Sequence, residues 1–151
     1  MIYTELTRKA MCLAYKAHHG QLDKSGVPYI FHPYHIAEQM NDEISVCAAL
    51  LHDVVEDSDI TPDELAAEFP PEVVKTVMLL THDDNEEYLD YIRRISGDPA
   101  AAKIKLADLR HNSDISRLSA YADSRTMARL EKYSAAISIL ENNTNIKKNG
   151  G

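Results

Sequence analysis

Apolar residues along most of this chain recur at every third or fourth position, as they do on one face of an α-helix. Leu6, Ala10, Leu13 and Ala17 follow this spacing and predict a first amphipathic helix over residues 4–18. The same pattern predicts seven further helices, at residues 33–41, 44–56, from Thr61 onward, 71–80, 85–96, 99–117 and 123–141. No segment alternates in the manner of a β-strand, so we expect an all-α fold, a compact bundle of about seven to eight helices.

Turn and capping residues mark the ends of several helices. The segment "GQLDKSGVPY" at residues 20–29 contains two glycines and a proline, which predicts a loop. Thr61 followed by Glu64 predicts a capping box, in which each residue's side chain bonds the other's backbone amide. Because the chain end is polar, we expect one domain over residues 1–141 and a polar C-terminal tail over residues 142–151.

Composition places the chain among ordinary globular proteins. With 151 residues, of which 44% are hydrophobic, it is long enough to bury a core without disulfide bonds. Cys12 and Cys47 lie in helical patterns, and we expect both to be buried thiols in a reducing compartment. A formal net charge of −8 argues against a nucleic-acid partner, which would require a basic face. Because we see neither a signal-peptide pattern nor an apolar stretch that could cross a bilayer, we expect a cytoplasmic protein with no membrane partner.

The segment "ALLHDVVEDS" carries four titratable residues at the end of a strongly apolar helical pattern. Charged groups are costly to bury unless they are paired or bind a metal. Residues four apart share a helix face, so His52 is expected beside Glu56 and Asp53 beside Asp57. Imidazole with carboxylate suits divalent Mn, Zn or Fe. Glu56 and Asp57 form an acidic pair that could orient or deprotonate a metal-bound water.

Two further residues are candidate ligands for the same metal. His32 lies where the predicted loop enters a helix, and Asp108 lies on the apolar stripe of "KIKLADLRHN". Each alone has an ordinary structural explanation, since His32 could be a hydrogen-bonded loop histidine and Asp108 could pair with Arg110 or a lysine. Together with His52 and Asp53 they form a set of two imidazoles and two carboxylates, which favours a metal site with positions left for water and substrate.

The remaining basic residues and histidines carry weaker signals. Lys24 and Lys105 favour a local anion site, whereas Lys103 and Arg117 are explained at least as well by a solvated helix face. Among the histidines, His18 and His19 are expected to favour the dipole at the end of the first helix. His35 is either close behind the site or simply exposed, His111 is a weak site candidate, and His82 is expected in a turn of solvated charges.

Three long motifs together resemble the hydrolase domain of the RelA/SpoT family, within the HD superfamily of metal-dependent phosphohydrolases. They are "AHHGQLDKSGVPYIFHPYHIAEQM", "AALLHDVVEDSDIT" and "KIKLADLRHN", and the resemblance spans residues 4–118 in the same order. A chain of this length is similar to the stand-alone small alarmone hydrolases. The resemblance implies a single HD-type domain that removes the 3′-pyrophosphate of ppGpp and pppGpp, a small anionic nucleotide substrate.

The resemblance also implies roles for individual residues. It implies four ligands of a divalent metal, usually Mn²⁺, at His32, His52, Asp53 and Asp108. Glu56 and Asp57 match the family's catalytic acidic pair. The substrate-binding residues that we expect are Lys24 and Ser25 in the loop, Asn112 after the last ligand, and Lys105 on charge alone.

Three departures from the family pattern concern the substrate and leave the metal set intact. Asp23 stands where the family usually has an arginine that stacks on guanine, the order of residues 109 and 110 is reversed, and Ile115 replaces a common threonine. The alternatives are therefore an HD phosphohydrolase for a different nucleotide or phosphoester, or a non-catalytic nucleotide-sensing module. The sequence does not decide which metal binds or whether the chain forms homo-oligomers.

Overall fold

The computed structural model describes residues 1–117 and 123–149. Within them, nine α-helices and one short 3₁₀ helix (Ile115–Arg117) follow one another. The helices are α1 (Glu5–Ala17), α2 (Phe31–Ala37), α3 (Glu43–Leu51), α4 (Val54–Asp57), α5 (Pro62–Glu68), α6 (Pro71–Leu80), α7 (Tyr88–Ser96), α8 (Pro99–Asn112) and α9 (Ser124–Asn149). The described residues contain no strand, only an isolated bridge between Leu22 and Pro28, so the all-α prediction is confirmed.

The helix starts follow local capping chemistry. Thr61 accepts a hydrogen bond from the amide of Glu64 while the Glu64 carboxylate accepts one from the amide of Thr61, so the predicted capping box is present. Thr4 and Thr7 form a second box at the start of α1. These caps satisfy amides that the first turn of a helix leaves without partners, and they fix where α1 and α5 begin.

All the predicted helices are present, and the ninth arises because the one predicted over residues 44–56 is split in two. Helix α3 ends at Leu51 and α4 begins at Val54. In an uninterrupted helix the carbonyl of Ala49 would accept a bond from the amide of residue 53. Here the Nδ1 atom of His52 bonds that carbonyl at 2.7 Å, so the side chain competes with the helix for its acceptor. The break falls on the His–Asp pair.

Helix α3 forms the centre of the bundle. It packs against α1, α2, α6 and α8, and every residue from 45 to 51 is buried. A helix that is apolar on all sides is stable only when other helices surround it. His52 and Asp53 therefore follow the most enclosed segment of the chain, which gives them a rigid support.

Three sequence-based expectations need correction. Helix α8 ends at Asn112, short of residue 117, and α9 continues to Asn149, past the predicted end at 141. Part of the predicted polar tail is thus helical, and the Asn143 amide ties it to the Ser96 hydroxyl at 2.6 Å; residues 150–151 lie outside the described part. Cys47 is buried as expected, but Cys12 is exposed because Ala10 and Ala14 occupy the core face of α1. No helix in the described residues has the length and apolar character needed to cross a membrane.

Candidate metal centre

The four predicted metal ligands come together from three parts of the bundle. His32 lies on α2, His52 and Asp53 lie at the break between α3 and α4, and Asp108 lies on α8. The Nε2 atom of His52 is 3.0 Å from Oδ2 of Asp53, and Nε2 of His32 is 3.1 Å from Oδ1 of Asp108 and 3.9 Å from Oδ2 of Asp53. His32, His52 and Asp108 are at most 4% exposed, so the cluster is buried in the protein.

The Nε2 atoms of His32 and His52 are buried and have no hydrogen-bond partner among the described residues. They lie close to carboxylate oxygens without the alignment of a hydrogen bond. Ligand atoms of His32, His52 and Asp53 all lie within 4.8 Å of one another. Buried polar atoms without partners are rare unless a ligand satisfies them. Two imidazole nitrogens that converge on a carboxylate fit a divalent transition-metal ion.

Hydrogen bonds on the far side of each imidazole determine which nitrogen faces the cluster. Nδ1 of His52 bonds the carbonyl of Ala49, so Nδ1 carries a hydrogen and Nε2 is the nitrogen that faces the cluster. Nδ1 of His32 is 2.6 Å from Nδ1 of His111, and the two rings stack. Burial and the neighbouring charges of His32 and Arg117 lower the pKa of His111 to about 4, so it is neutral and accepts this bond. Both candidate ligands thus have the outer partner that metal-binding histidines usually have.

The charges of the cluster compensate one another. Burial alone would lower the pKa of His52, but the carboxylates of Asp53 and Asp108 outweigh it and raise that pKa to about 9. Burial would raise the pKa of Asp53, but His52 and His32 lower it to about 2. Without a metal the His52 imidazole therefore holds a second proton at neutral pH, and a divalent cation would displace it, since metal ligands must be deprotonated.

Three side chains hold the two carboxylates in place. The Lys105 ammonium donates to Oδ2 of Asp108 and the Asn112 amide donates to Oδ1, both at 2.7 Å. Against the effect of burial, Lys105 and His32 keep the pKa of Asp108 well below its usual range. The Tyr29 hydroxyl donates to Oδ2 of Asp53 at 2.5 Å. Burial and the Asp53 charge raise the pKa of Tyr29 far above its usual range, so it remains a donor.

The predicted catalytic pair lies on α4, beside the cluster. Oε1 of Glu56 accepts a hydrogen bond from the backbone amide of His82 at 2.5 Å. The backbone carbonyl of Asp57 accepts one from the Gln21 amide at 2.7 Å. Desolvation and the negative charge of Asp53 raise the pKa of both carboxyl groups, although both residues are exposed. The pair combines solvent access with an affinity for protons above that of ordinary carboxylates.

His82 does not lie in a turn of solvated charges, and that expectation is wrong. Its ring packs 4.7 Å from the ring of Tyr91, and its Nε2 atom lies 2.8 Å from the carbonyl of Glu86. Through its backbone amide it holds Glu56. This role could not be predicted from the sequence, because a backbone amide carries no residue-specific signal.

A cavity of about 290 Å³ adjoins the cluster. Tyr29 and Asn112 line it and also bond Asp53 and Asp108, so they connect the cavity to the cluster. The lining residues are Leu22, Asp23, Lys24, Ser25, Tyr29, Asn112, Arg117, Thr126, Arg129, Leu130 and Tyr133. Of the predicted substrate-binding residues, Lys24, Ser25 and Asn112 line the cavity, whereas Lys105 does not and is engaged with Asp108.

Asp23 organises the loop beside this cavity. Its Oδ1 atom accepts bonds from the amides of Ser25 at 2.8 Å and Val27 at 3.0 Å, and its Oδ2 atom pairs with Arg117 at 3.0 Å. Arg117 also donates to the carbonyl of His111, and the Ser25 hydroxyl donates to the carbonyl of Arg117. Burial opposes the change, but these amides and Arg117 lower the pKa of Asp23. We call this set of contacts the loop latch; it neutralises the charge of Asp23 and ties the loop to the 3₁₀ helix.

Comparison with known proteins gives a consistent set of similarities. A family model described as HD domain matches residues 10–132. A GTP pyrophosphokinase of Myxococcus xanthus is 33% identical over 126 residues, which cover 72% of this chain and 17% of that protein. A probable guanosine-3′,5′-bis(diphosphate) 3′-pyrophosphohydrolase of Synechocystis sp. is 35% identical over 119 residues, which cover 69% of this chain and 16% of that protein. The chain thus spans about a sixth of the length of these relatives.

One solved structure is similar over nearly the whole chain. It is described as "A metazoan ortholog of SpoT hydrolyzes ppGpp and plays a role in starvation responses". The TM-score is 0.73 at 25% sequence identity, and the match covers 95% of this chain and 87% of that one.

We expect the substitution Asp53→Ala to weaken Mn²⁺ binding by more than about 100-fold, because the change removes the carboxylate that both free imidazole nitrogens face. Isothermal titration calorimetry of the metal-free protein measures the affinity, and circular dichroism checks the fold. Asp59→Ala, at an exposed position two residues beyond the acidic pair, is the matched control and should bind like wild type. Equal affinities for the two variants would contradict a metal site at this cluster.

Proposed function

The chain belongs to the HD-domain family, and from that premise we propose that it is a metal-dependent phosphohydrolase that removes the 3′-pyrophosphate of ppGpp and pppGpp. The observation that carries this proposal is the convergence of two buried, unpartnered imidazole nitrogens on the carboxylate of Asp53, next to an acidic pair with raised pKa values. A purely structural cluster has no need of that combination. The names of the Synechocystis relative and of the similar structure support the choice of substrate.

We assign the metal to His32, His52, Asp53 and Asp108. A bound divalent cation, which we propose to be Mn²⁺, would polarise a phosphate oxygen and lower the pKa of a water. Tyr29, Lys105 and Asn112 keep the two carboxylates in one orientation, and His111 does the same for His32. Because these partners are half-buried side chains of the bundle itself, the chain prepares the ligand geometry before the metal arrives.

Glu56 and Asp57 orient the attacking water and accept its proton. A carboxylate whose pKa is raised above its ordinary value is a better general base than an ordinary one. The amide of His82 holds one oxygen of Glu56, which leaves the other free to face the water. As the water oxygen bonds to phosphorus, the bond between phosphorus and the ribose 3′ oxygen breaks, pyrophosphate leaves, and the 3′ oxygen gains a proton.

We propose that the cavity beside the cluster holds the nucleotide. Its wall carries the cationic side chains of Lys24, Arg117 and Arg129, although the chain as a whole has a net charge of −8. Arginine suits phosphate because its donors match phosphate oxygens in pairs. Leu130 and Tyr133 supply apolar and aromatic surface for a base. The loop latch removes the objection that Asp23 would repel phosphate, since its carboxylate is already paired.

The same latch favours one second candidate, a different nucleotide or phosphoester. An aspartate lacks the planar guanidinium with which an arginine stacks on a base, and Asp23 is bonded to the loop backbone and to Arg117. Base selection therefore depends on the other residues of the cavity. A non-catalytic nucleotide-sensing module is the candidate from another class, and it leaves the acidic pair without a role.

We expect the purified chain to convert ppGpp to GDP and pyrophosphate with Mn²⁺, and to lose this activity on treatment with EDTA. Chromatography of the nucleotides and a pyrophosphate assay measure the products, and a panel of other nucleotides and phosphoesters is tested in parallel. Cleavage of another compound with ppGpp untouched would contradict the alarmone assignment and retain the hydrolase. Metal binding with no cleavage at all would favour the sensing module.

We expect Glu56→Gln to lower kcat for ppGpp by about 10²- to 10⁴-fold, because an amide cannot accept the proton from the water. Mn²⁺ affinity, measured by calorimetry, should stay within about twofold of wild type, since Glu56 is not one of the assigned ligands. Glu72→Gln, an exposed residue in the first turn of α6, is the control. A wild-type kcat in Glu56→Gln would remove Glu56 from the mechanism.

We expect Arg117→Met to raise KM for ppGpp by about tenfold with a smaller effect on kcat, because the cavity loses a cation and Asp23 loses its charged partner. Adding Asp23→Asn to this variant should recover part of the loss, since the uncompensated carboxylate is gone. Arg125→Met, on the exposed surface of α9, is the control. Unchanged KM in Arg117→Met would show that the latch does not contribute to substrate binding.

A further inference from the structure

His18, at the C-terminal end of α1, is a third buried imidazole with a free nitrogen. It is 2% exposed, and its Nε2 atom has no hydrogen-bond partner among the residues that the structure describes. It is not one of the predicted metal ligands, and the mechanism above does not use it. A dipole interaction at a helix end, which the sequence suggests, would be satisfied by an exposed histidine and does not require burial.

Gln21 fixes the orientation of this ring. The Gln21 amide nitrogen donates to the carbonyl of Asp57 at 2.7 Å and to that of Ala17 at 3.3 Å, so the amide oxygen faces His18. Nδ1 of His18 lies 2.9 Å from that oxygen and must therefore carry a hydrogen. Nε2 is left as the atom that needs a partner, whether it is protonated or not.

The ring is connected to Asp57, one member of the acidic pair. Its centroid is 4.9 Å from that of Tyr29, whose hydroxyl bonds Asp53. Burial and Asp53 raise the pKa of Asp57, and among the groups that oppose this rise His18 has the largest effect. Through Gln21 the same histidine is connected to the backbone carbonyl of Asp57. His18 thus has one hydrogen-bonded route to Asp57 and one electrostatic effect on its carboxyl group.

We propose that His18 is a positioning residue for Asp57: its Nε2 atom holds an ordered water that also hydrogen-bonds the Asp57 carboxylate, while Gln21 holds the Asp57 backbone. Water fits this position because it can donate to a neutral Nε2 or accept from a protonated one, and buried waters typically join polar groups that lack partners. The two connections together fix the direction of the carboxylate that receives the proton. This inference rests on the proposed function and deepens it.

Two substitutions at position 18 separate the two ring nitrogens. In His18→Asn the side-chain amide can replace the Nδ1 donor to Gln21 but has no atom at the Nε2 position. In His18→Gln the longer amide reaches the Nε2 position. We expect His18→Asn to lower kcat for ppGpp by about tenfold or more, with KM and Mn²⁺ affinity within about twofold of wild type, and His18→Gln to recover most of kcat.

His19→Asn is the matched control. His19 is the neighbouring residue and is exposed, and in the described part of the chain its imidazole contacts only the ring of Tyr15. Its kcat should equal that of wild type. Thermal melting of each variant monitors the fold. If His18→Asn does not fold, Gln21→Met replaces it, because that change removes the connection to Asp57 at similar volume and should cause the same loss of kcat.

Each outcome decides the inference. A wild-type kcat in His18→Asn, or in Gln21→Met where that variant is used, overturns it. Equal losses in His18→Asn and His18→Gln overturn it as well, because they would mean that the ring only fills space. A rise in KM at constant kcat would assign His18 to substrate binding instead. Wild-type protein that releases no pyrophosphate contradicts the proposed function itself, and this is seen before any variant is compared.

Discussion

The hydrogen bond between Nδ1 of His52 and the carbonyl of Ala49 is the interaction on which the rest of the site depends. It ends the central helix α3 at the point where that helix is most enclosed, and it turns the other nitrogen of His52 toward Asp53. Had the helix continued, His52 and Asp53 would follow the regular 100° steps of a helix and face different directions. The break brings them onto the same side, where α2 and α8 supply His32 and Asp108.

Because the His–Asp cluster is buried, its carboxylates and imidazoles need hydrogen-bond partners within the protein. Each carboxylate of the cluster accepts hydrogen bonds from neutral or cationic donors. The Nδ1 atom of each histidine in the cluster donates to a single acceptor. Such a network leaves the two Nε2 atoms without a hydrogen-bond partner in the described part of the chain. Because unpaired polar atoms are costly in a medium of low dielectric constant, a cation between them would satisfy both nitrogens.

The sequence was sufficient for the helices and for the convergence of His32, His52, Asp53 and Asp108, because both depend on signals within the chain: apolar periodicity and residue types whose burial needs an explanation. It was insufficient where a side chain competes with the backbone, as at His52, or where a partner is distant in sequence. Tyr29 and Asp53 are 24 residues apart, His32 and His111 are 79, and Asp23 and Arg117 are 94. No periodicity links such pairs. The acidic pair was identifiable as a pair, but the amide of His82 that holds Glu56 was not.

Asp23 and Arg117, the ion pair of the loop latch, lie outside the helices that carry the His–Asp cluster, so the residues proposed for catalysis and those proposed for substrate recognition belong to different parts of the fold. The metal cluster is built from buried helices, so its geometry changes little when a surface loop changes. Asp23 and Arg117 lie at the edge of the cavity, and their pairing links a loop to a short 3₁₀ helix instead of to the core. An aspartate that would oppose an anion if it were free becomes neutral in effect once Arg117 is beside it. The departure at position 23 is therefore compatible with a phosphate substrate. Its consequence would fall on the recognition of a base, for which the cavity offers apolar and aromatic side chains such as Leu130 and Tyr133.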